Sequence, residues 1–110
     1  MNSGNGAGKR AADLLVDCLA AQGTDRIFCV PGESYLALLD ALQDSDAIDL
    51  VTCRHEGGAG FMALADAKIT GRPGVAVVSR GPGATNASIA VHMAEQDAAP
   101  LVLLIGQVDR

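Results

Sequence analysis

Apolar positions along the chain switch between two periods. From Lys9 to Gln22 the residues Ala11, Leu14, Leu15, Cys18 and Leu19 recur at helical spacing, which predicts a helix stopped by Gly23. Arg26 to Val30 is a short continuous apolar run closed by Pro31-Gly32, the pattern of a buried strand ending in a turn. Helical spacing returns over Ser34 to Gln43 through Tyr35, Leu38, Leu39 and Leu42, and Ile48 to Cys53 is strand-like again. A third helix is expected over Gly57 to Thr70 and a third strand over Val75 to Ser79. A fourth helix over Ala84 to Glu95 and a fourth strand over Leu101 to Ile105 complete the pattern.

Helices alternating with near-continuously apolar strands define an α/β protein, a doubly wound parallel sheet with helices on both faces. Ligands of such sheets sit beyond the C-terminal ends of the strands. The segments found there are Pro31-Gly32-Glu33, Arg54-His55-Glu56, Arg80 to Asn86 and Gly106-Gln107. Residues 1–8, rich in Gly, Ser and Asn, read as a flexible tail, and residues 9–110 as one domain. Leu101 to Ile105 is a buried-type strand with only five residues after it, and the helix that should return over it is missing. The domain is therefore expected to be incomplete at its C-terminus, the front part of something longer.

Composition narrows the function. At 110 residues with 49% apolar and 19% charged side chains, the chain is long enough for one globular domain and too apolar for disorder. Net charge is −5 and the basic residues are scattered, which disfavours a nucleic-acid partner. No apolar run approaches the roughly 18 residues of a membrane helix, and the N-terminus lacks the apolar core of a secretory signal, so the chain reads as cytoplasmic. Cys18, Cys29 and Cys53 are odd in number and lack Cys-x-x-Cys spacing, as expected of reduced thiols packed in a core. His55 and His92 have no ligand-spaced partners, so no zinc site is expected.

Three strand-end segments could carry chemistry. Gly81-Pro82-Gly83-Ala84-Thr85-Asn86 joins a strand to a helix, where glycines admit a ligand to the backbone and the helix N-terminus offers free N–H groups. It approaches a dinucleotide fingerprint, but Asn86 stands at the third glycine. With Asp109 as the trailing acid, a Rossmann-type dinucleotide-binding domain remains an alternative, beside an ordinary tight turn. The N-terminal Gly-Asn-Gly-Ala-Gly-Lys-Arg has no preceding strand, and Arg10 replaces the hydroxyl residue that a phosphate loop needs for magnesium.

In the second segment, Glu56 ends a buried strand and opens a helix with glycines at 57, 58 and 60. Each helical glycine costs about 1 kcal/mol relative to Ala, which makes sense where something lies flat against the backbone. Taken alone, Glu56 could equally be a first-turn carboxylate favoured by the helix dipole, and His55 reads as a packed or hydrogen-bonded side chain. Glu33, after Pro31-Gly32, has the same two readings. Asp97 and Pro100 read as turn residues.

In this order and spacing the segments closely resemble the N-terminal pyrimidine-binding domain of thiamine-diphosphate enzymes of the acetolactate synthase type. The matching stretches are Phe28-Cys29-Val30-Pro31-Gly32, Arg54-His55-Glu56, Thr70-Gly71-Arg72-Pro73-Gly74-Val75, Gly81 to Asn86, Asp97-Ala98-Ala99-Pro100 and Gly106-Gln107-Val108. The resemblance covers Lys9 to Val108. The sequence departs from the usual family pattern at Leu64-Ala65-Asp66, at Glu95 and at Ala98, and at Glu33, where many members carry a small residue but a subgroup shares Pro-Gly-Glu-Ser-Tyr. Asp66 and Glu95 would each cost stability if buried unpaired.

The resemblance implies that Glu56 hydrogen-bonds N1′ of the cofactor's aminopyrimidine and so promotes loss of the C2 proton, giving the ylide that attacks a 2-oxo acid. It implies that Pro31, Gly32, Pro82 and Asn86 line the cofactor pocket and that Glu33 lies near the substrate. Thiamine diphosphate is the implied cofactor, its magnesium ion held by a second, diphosphate-binding domain of the same or a partner subunit; FAD stays open. The implied whole is a homodimer or tetramer catalysing decarboxylation or carboligation, in which this piece alone is inactive. A non-catalytic half-subunit docking on a separate diphosphate-binding chain is the alternative within the same resemblance.

Overall fold

A computed structural model describes residues 9–108; the tail at 1–8, most of the glycine-rich N-terminal run and Asp109 lie outside them. The elements are α1 (Ala11–Ala21), β1 (Arg26–Cys29), a 3-10 turn (Glu33–Tyr35), α2 (Leu36–Gln43), β2 (Asp49–Thr52), α3 (Glu56–Thr70), β3 (Gly74–Val78), α4 (Pro82–Gln96) and β4 (Leu101–Ile105). The strands form one parallel sheet in the order β2-β1-β3-β4. In register, Phe28 lies opposite both Val51 and Ala76, and Gly74 to Val78 run beside Leu101 to Ile105.

Period-two side chains divide the core between the two faces. Ile27, Cys29, Val75 and Val77 point to one side, where Val16 of α1 and Leu38, Ala41 and Leu42 of α2 cover them. Phe28 and Ala76 point to the other, against Ala59 and Ala63 of α3. All five residues of β3 are buried, so it is the strand at the centre of the core. The α3 backbone comes so close to β3 that a side-chain carbon on Gly74 would overlap the Ala63 carbonyl. α4 lies beside α3 on the same face.

Two helix starts are earlier than the apolar pattern predicts, for local reasons. α3 begins at Glu56 because His55 caps it, its Nδ1 accepting the Gly57 N–H at 2.9 Å. α4 begins at Pro82 because Gly81, at φ +66°, turns the chain and proline has no N–H to leave unpaired at a first helical position. The helix expected from Ser34 opens instead as a 3-10 turn, which carries the Tyr35 ring into the core and its hydroxyl to the Val30 carbonyl.

Further expectations need correction. Cys29 is buried, but Cys53 is only half-buried and Cys18 is exposed on α1. Glu95 is exposed and Asp66 half-buried, so neither carries the cost of an enclosed charge. Asp13 is the buried charged residue among those described. Arg10 grips it through Nε and Nη2 at 3.1 and 3.0 Å and reaches Asp40 with Nη1 at 2.7 Å. These bonds, with one from the Arg10 backbone N–H, hold the Asp13 carboxyl below the usual carboxylate range. At the N-terminal end of the sheet Arg72 donates to the Gly23 carbonyl at 2.6 Å and to Asp25 at 3.2 Å.

Candidate functional site

The winding of the sheet reverses between β1 and β3. α2 carries the chain from β1 outward to β2 on one face, while α3 and α4 carry it the other way on the opposite face. In open α/β sheets the C-terminal strand ends at such a reversal form the crevice that takes the ligand. Gly32 follows β1 there and Ser79 follows β3; a side-chain carbon on Gly32 would lie 3.2 Å from the Ser79 Cβ. The Ser34 and Ser79 hydroxyls share a hydrogen bond of 2.7 Å, which ties the 3-10 turn to the end of β3.

Glu56 stands at the same crevice, half-buried in the first turn of α3. Its Oε1 accepts a hydrogen bond from Asn86 Nδ2 on α4 at 3.0 Å. Its Oε2 faces Gly83, where a side-chain carbon would lie 3.6 Å away. Burial pushes the Tyr35 hydroxyl far above its ordinary range, with the Cys29 thiol and the Glu56 carboxylate adding to the shift.

The glycines after Glu56 divide in their roles. Gly60 packs against Ala90 of α4, and Gly57 fits beneath the His55 ring and the Asn86 carbonyl. Gly58 alone of the three has open space where a side chain would stand, so it is the one that leaves the surface beside Glu56 bare. The expectation that all three leave open backbone is corrected for Gly60, a helix-packing residue, and for Gly57, which is packed under His55.

Of the residues singled out in the sequence, Gly32, Glu56 and Asn86 converge at the crevice, together with Gly83. Pro82 is exposed at the first position of α4. Pro31 is exposed and borders a groove with Leu39, Leu42, Ile48 and Leu50, beside β2. Glu33 is exposed on the 3-10 turn. His55 is the hydrogen-bonded cap that its sequence context suggests. Ser34, Ser79 and Tyr35 are part of the strand-end scaffold. Among the described residues no three His, Cys, Asp or Glu side chains cluster as metal ligands. No described helix is long and apolar enough to cross a membrane.

A parallel sheet with a half-buried carboxylate at its switch point, clamped by a neighbouring helix, describes a cofactor-binding α/β domain. The chain belongs to the thiamine pyrophosphate enzymes, as their N-terminal TPP binding domain, whose family model matches residues 9–110. It is 44% identical over 101 residues to the acetolactate synthase of Bacillus subtilis (strain 168), covering 92% of this chain and 18% of that enzyme. It is 41% identical over 101 residues to the mitochondrial acetolactate synthase catalytic subunit of Aspergillus candidus, covering 92% of this chain and 15% of that protein. It is 44% identical over 97 residues to the acetolactate synthase isozyme 3 large subunit of Escherichia coli (strain K12), covering 88% of this chain and 17% of that protein. The chain thus spans less than a fifth of the length of these curated relatives.

Proposed function

We propose that this domain holds the aminopyrimidine of thiamine diphosphate at Glu56, within an acetolactate-synthase-like enzyme that decarboxylates or joins 2-oxo acids. The observation that carries the reading is the Glu56 side chain itself: one oxygen is engaged by Asn86, and the other lies beside Gly83 with no hydrogen-bond partner among the described residues. A flat heteroaromatic ring with a protonatable nitrogen suits this arrangement: Gly58 has open space where a side chain would stand, and no Cβ projects from Gly83 at the carboxylate. When bound, the cofactor supplies the carbon nucleophile for attack on the 2-oxo acid.

The rest of the site's work falls to the chain's own groups. Glu56 exchanges a proton at the oxygen beside Gly83 with the ring nitrogen, acting as general acid and base. Gly32 lets the β1 end approach Ser79, where a side-chain carbon would crowd in at 3.2 Å. Pro31 and Pro82 stiffen the two turns that flank the ring, and Glu33 stands at the rim on the substrate side. The magnesium ion and diphosphate are assigned to a second domain, in the same or a partner subunit of a homodimer or tetramer.

Thiamine diphosphate titrated with magnesium into the 15N-labelled chain tests the reading, with NAD as the control. Shifts confined to Gly57, Gly58, Gly83 and Asn86, reduced by Glu56→Gln, are expected. Shifts with NAD instead, or none at these residues, overturn it.

A further inference from the structure

We propose that Asn86 is a positioning residue for Glu56, and that it divides the labour between the two carboxylate oxygens. The inference rests on the cofactor reading above and adds to it which atom is free to exchange a proton. An ionised carboxylate only accepts hydrogen bonds, so the side-chain amide of Asn86 must turn its nitrogen toward Glu56, as it does at 3.0 Å. An oxygen already accepting from an N–H is the poorer place for a proton. Oε1 is therefore reserved as an anchor, and a proton exchanged with the ring passes through Oε2, the oxygen beside Gly83.

The contact joins residues on two helices that are packed tightly elsewhere. The Asn86 carbonyl lies over Gly57, at 3.4 Å from where a side-chain carbon would stand, and Gly60 meets Ala90 further along the same pair. Backbone and amide of Asn86 thus both address the first turn of α3. The side chain of Asn86 is itself exposed, so its removal leaves the core intact. Its role is to hold a flexible glutamate in one orientation, which saves the cost of ordering that side chain when a ring arrives.

The test has a spectroscopic arm and a binding arm. In the chain itself, one Asn86 side-chain N–H proton is expected downfield and slow to exchange, and Glu56→Ala abolishes both signatures. An Asn86 amide that looks like a free one, or that ignores Glu56→Ala, overturns the proposal. Asn86→Ala and the isosteric Asn86→Asp are expected to weaken thiamine diphosphate binding about tenfold, the low end for a hydrogen bond to a charged group. Asp is expected to be the worse of the two, since it sets one carboxylate against another. Binding lost with Glu56→Ala but unchanged in both Asn86 variants overturns this proposal and leaves the cofactor reading standing. Binding that survives Glu56→Ala overturns the cofactor reading itself, and with it the role for Asn86.

Discussion

Gly60 and Ala90 set the separation of the two helices that carry Glu56 and Asn86: a methyl group on Gly60 would sit 2.5 Å from the Ala90 Cβ. No real pair of methyl groups stands so close, so Gly60→Ala must push α3 and α4 apart. The expected cost is about 1–3 kcal/mol, the range for overpacking a filled site. Ala90→Gly in the same chain should return much of it. Urea unfolding of the wild type, both single variants and the double variant measures the coupling, and strictly additive losses would refute the contact.

His55 caps α3 with a ring nitrogen in place of the usual hydroxyl or carboxylate. His55→Ala leaves the Gly57 N–H without that partner and is expected to cost about 1 kcal/mol. His55→Ser or His55→Asn should restore most of the loss, because either supplies a capping oxygen. Thermal melts of the three variants check this, and a restoring effect would separate capping from any chemistry of the imidazole.

Acid should weaken the fold through Asp13. Its carboxyl is held below the ordinary value by the Arg10 side chain first and the Arg10 backbone N–H second, so the native state binds that proton less readily than the unfolded chain. The resulting stabilisation is complete above the unfolded value of about 3.9 and drains away as pH falls through the lower native value. Asp25, held down by Arg72, acts in the same direction. Unfolding midpoints measured from neutral pH into this window should fall steeply for the wild type and less steeply for Asp13→Asn.

Two turns carry left-handed backbone and invite opposite substitutions. Ala98 sits at φ +52° just after α4, where an L side chain costs about 1–2 kcal/mol. Glycine relieves that strain but adds about 0.4–1 kcal/mol of unfolded-state entropy, so Ala98→Gly should stabilise by up to about 1.6 kcal/mol. Gly71, at φ +74° after α3, should lose stability on mutation to Ala. The melting temperatures of the two variants should therefore move in opposite directions.

What could be read from the residues alone divides by range. β1, β3 and β4 announce themselves through apolar runs and the helices through three-and-four spacing, so the element order follows from local pattern. The strand before Glu56, expected to be buried, is instead the mostly exposed edge strand β2, Asp49–Thr52, which begins and ends on polar residues. Glu56 is still legible as a strand-end carboxylate. Its partner is not: Asn86 lies 30 positions away in the chain, and only the crossing of α3 over β1 brings them together. The glycines mislead because composition cannot say whether a missing side chain leaves open surface, as at Gly58, or admits a neighbouring helix, as at Gly60. Cys18 misleads differently: its helical position is apolar in pattern, yet α1 turns it outward.

The placement of β1 also bears on how the chain comes off the ribosome. Its central residue Phe28 pairs inward with Ala76, a strand made 48 positions later. At elongation rates of about 5–20 residues per second, that delay is roughly two to ten seconds. Until β2 is made, 23 positions on at Val51, the nascent β1 has neither partner, and from then until β3 it can pair only on its β2 side, with its other edge bare. Its four residues, Arg26 to Cys29, make that exposed edge short, which limits the template it offers to neighbouring chains until β3 arrives.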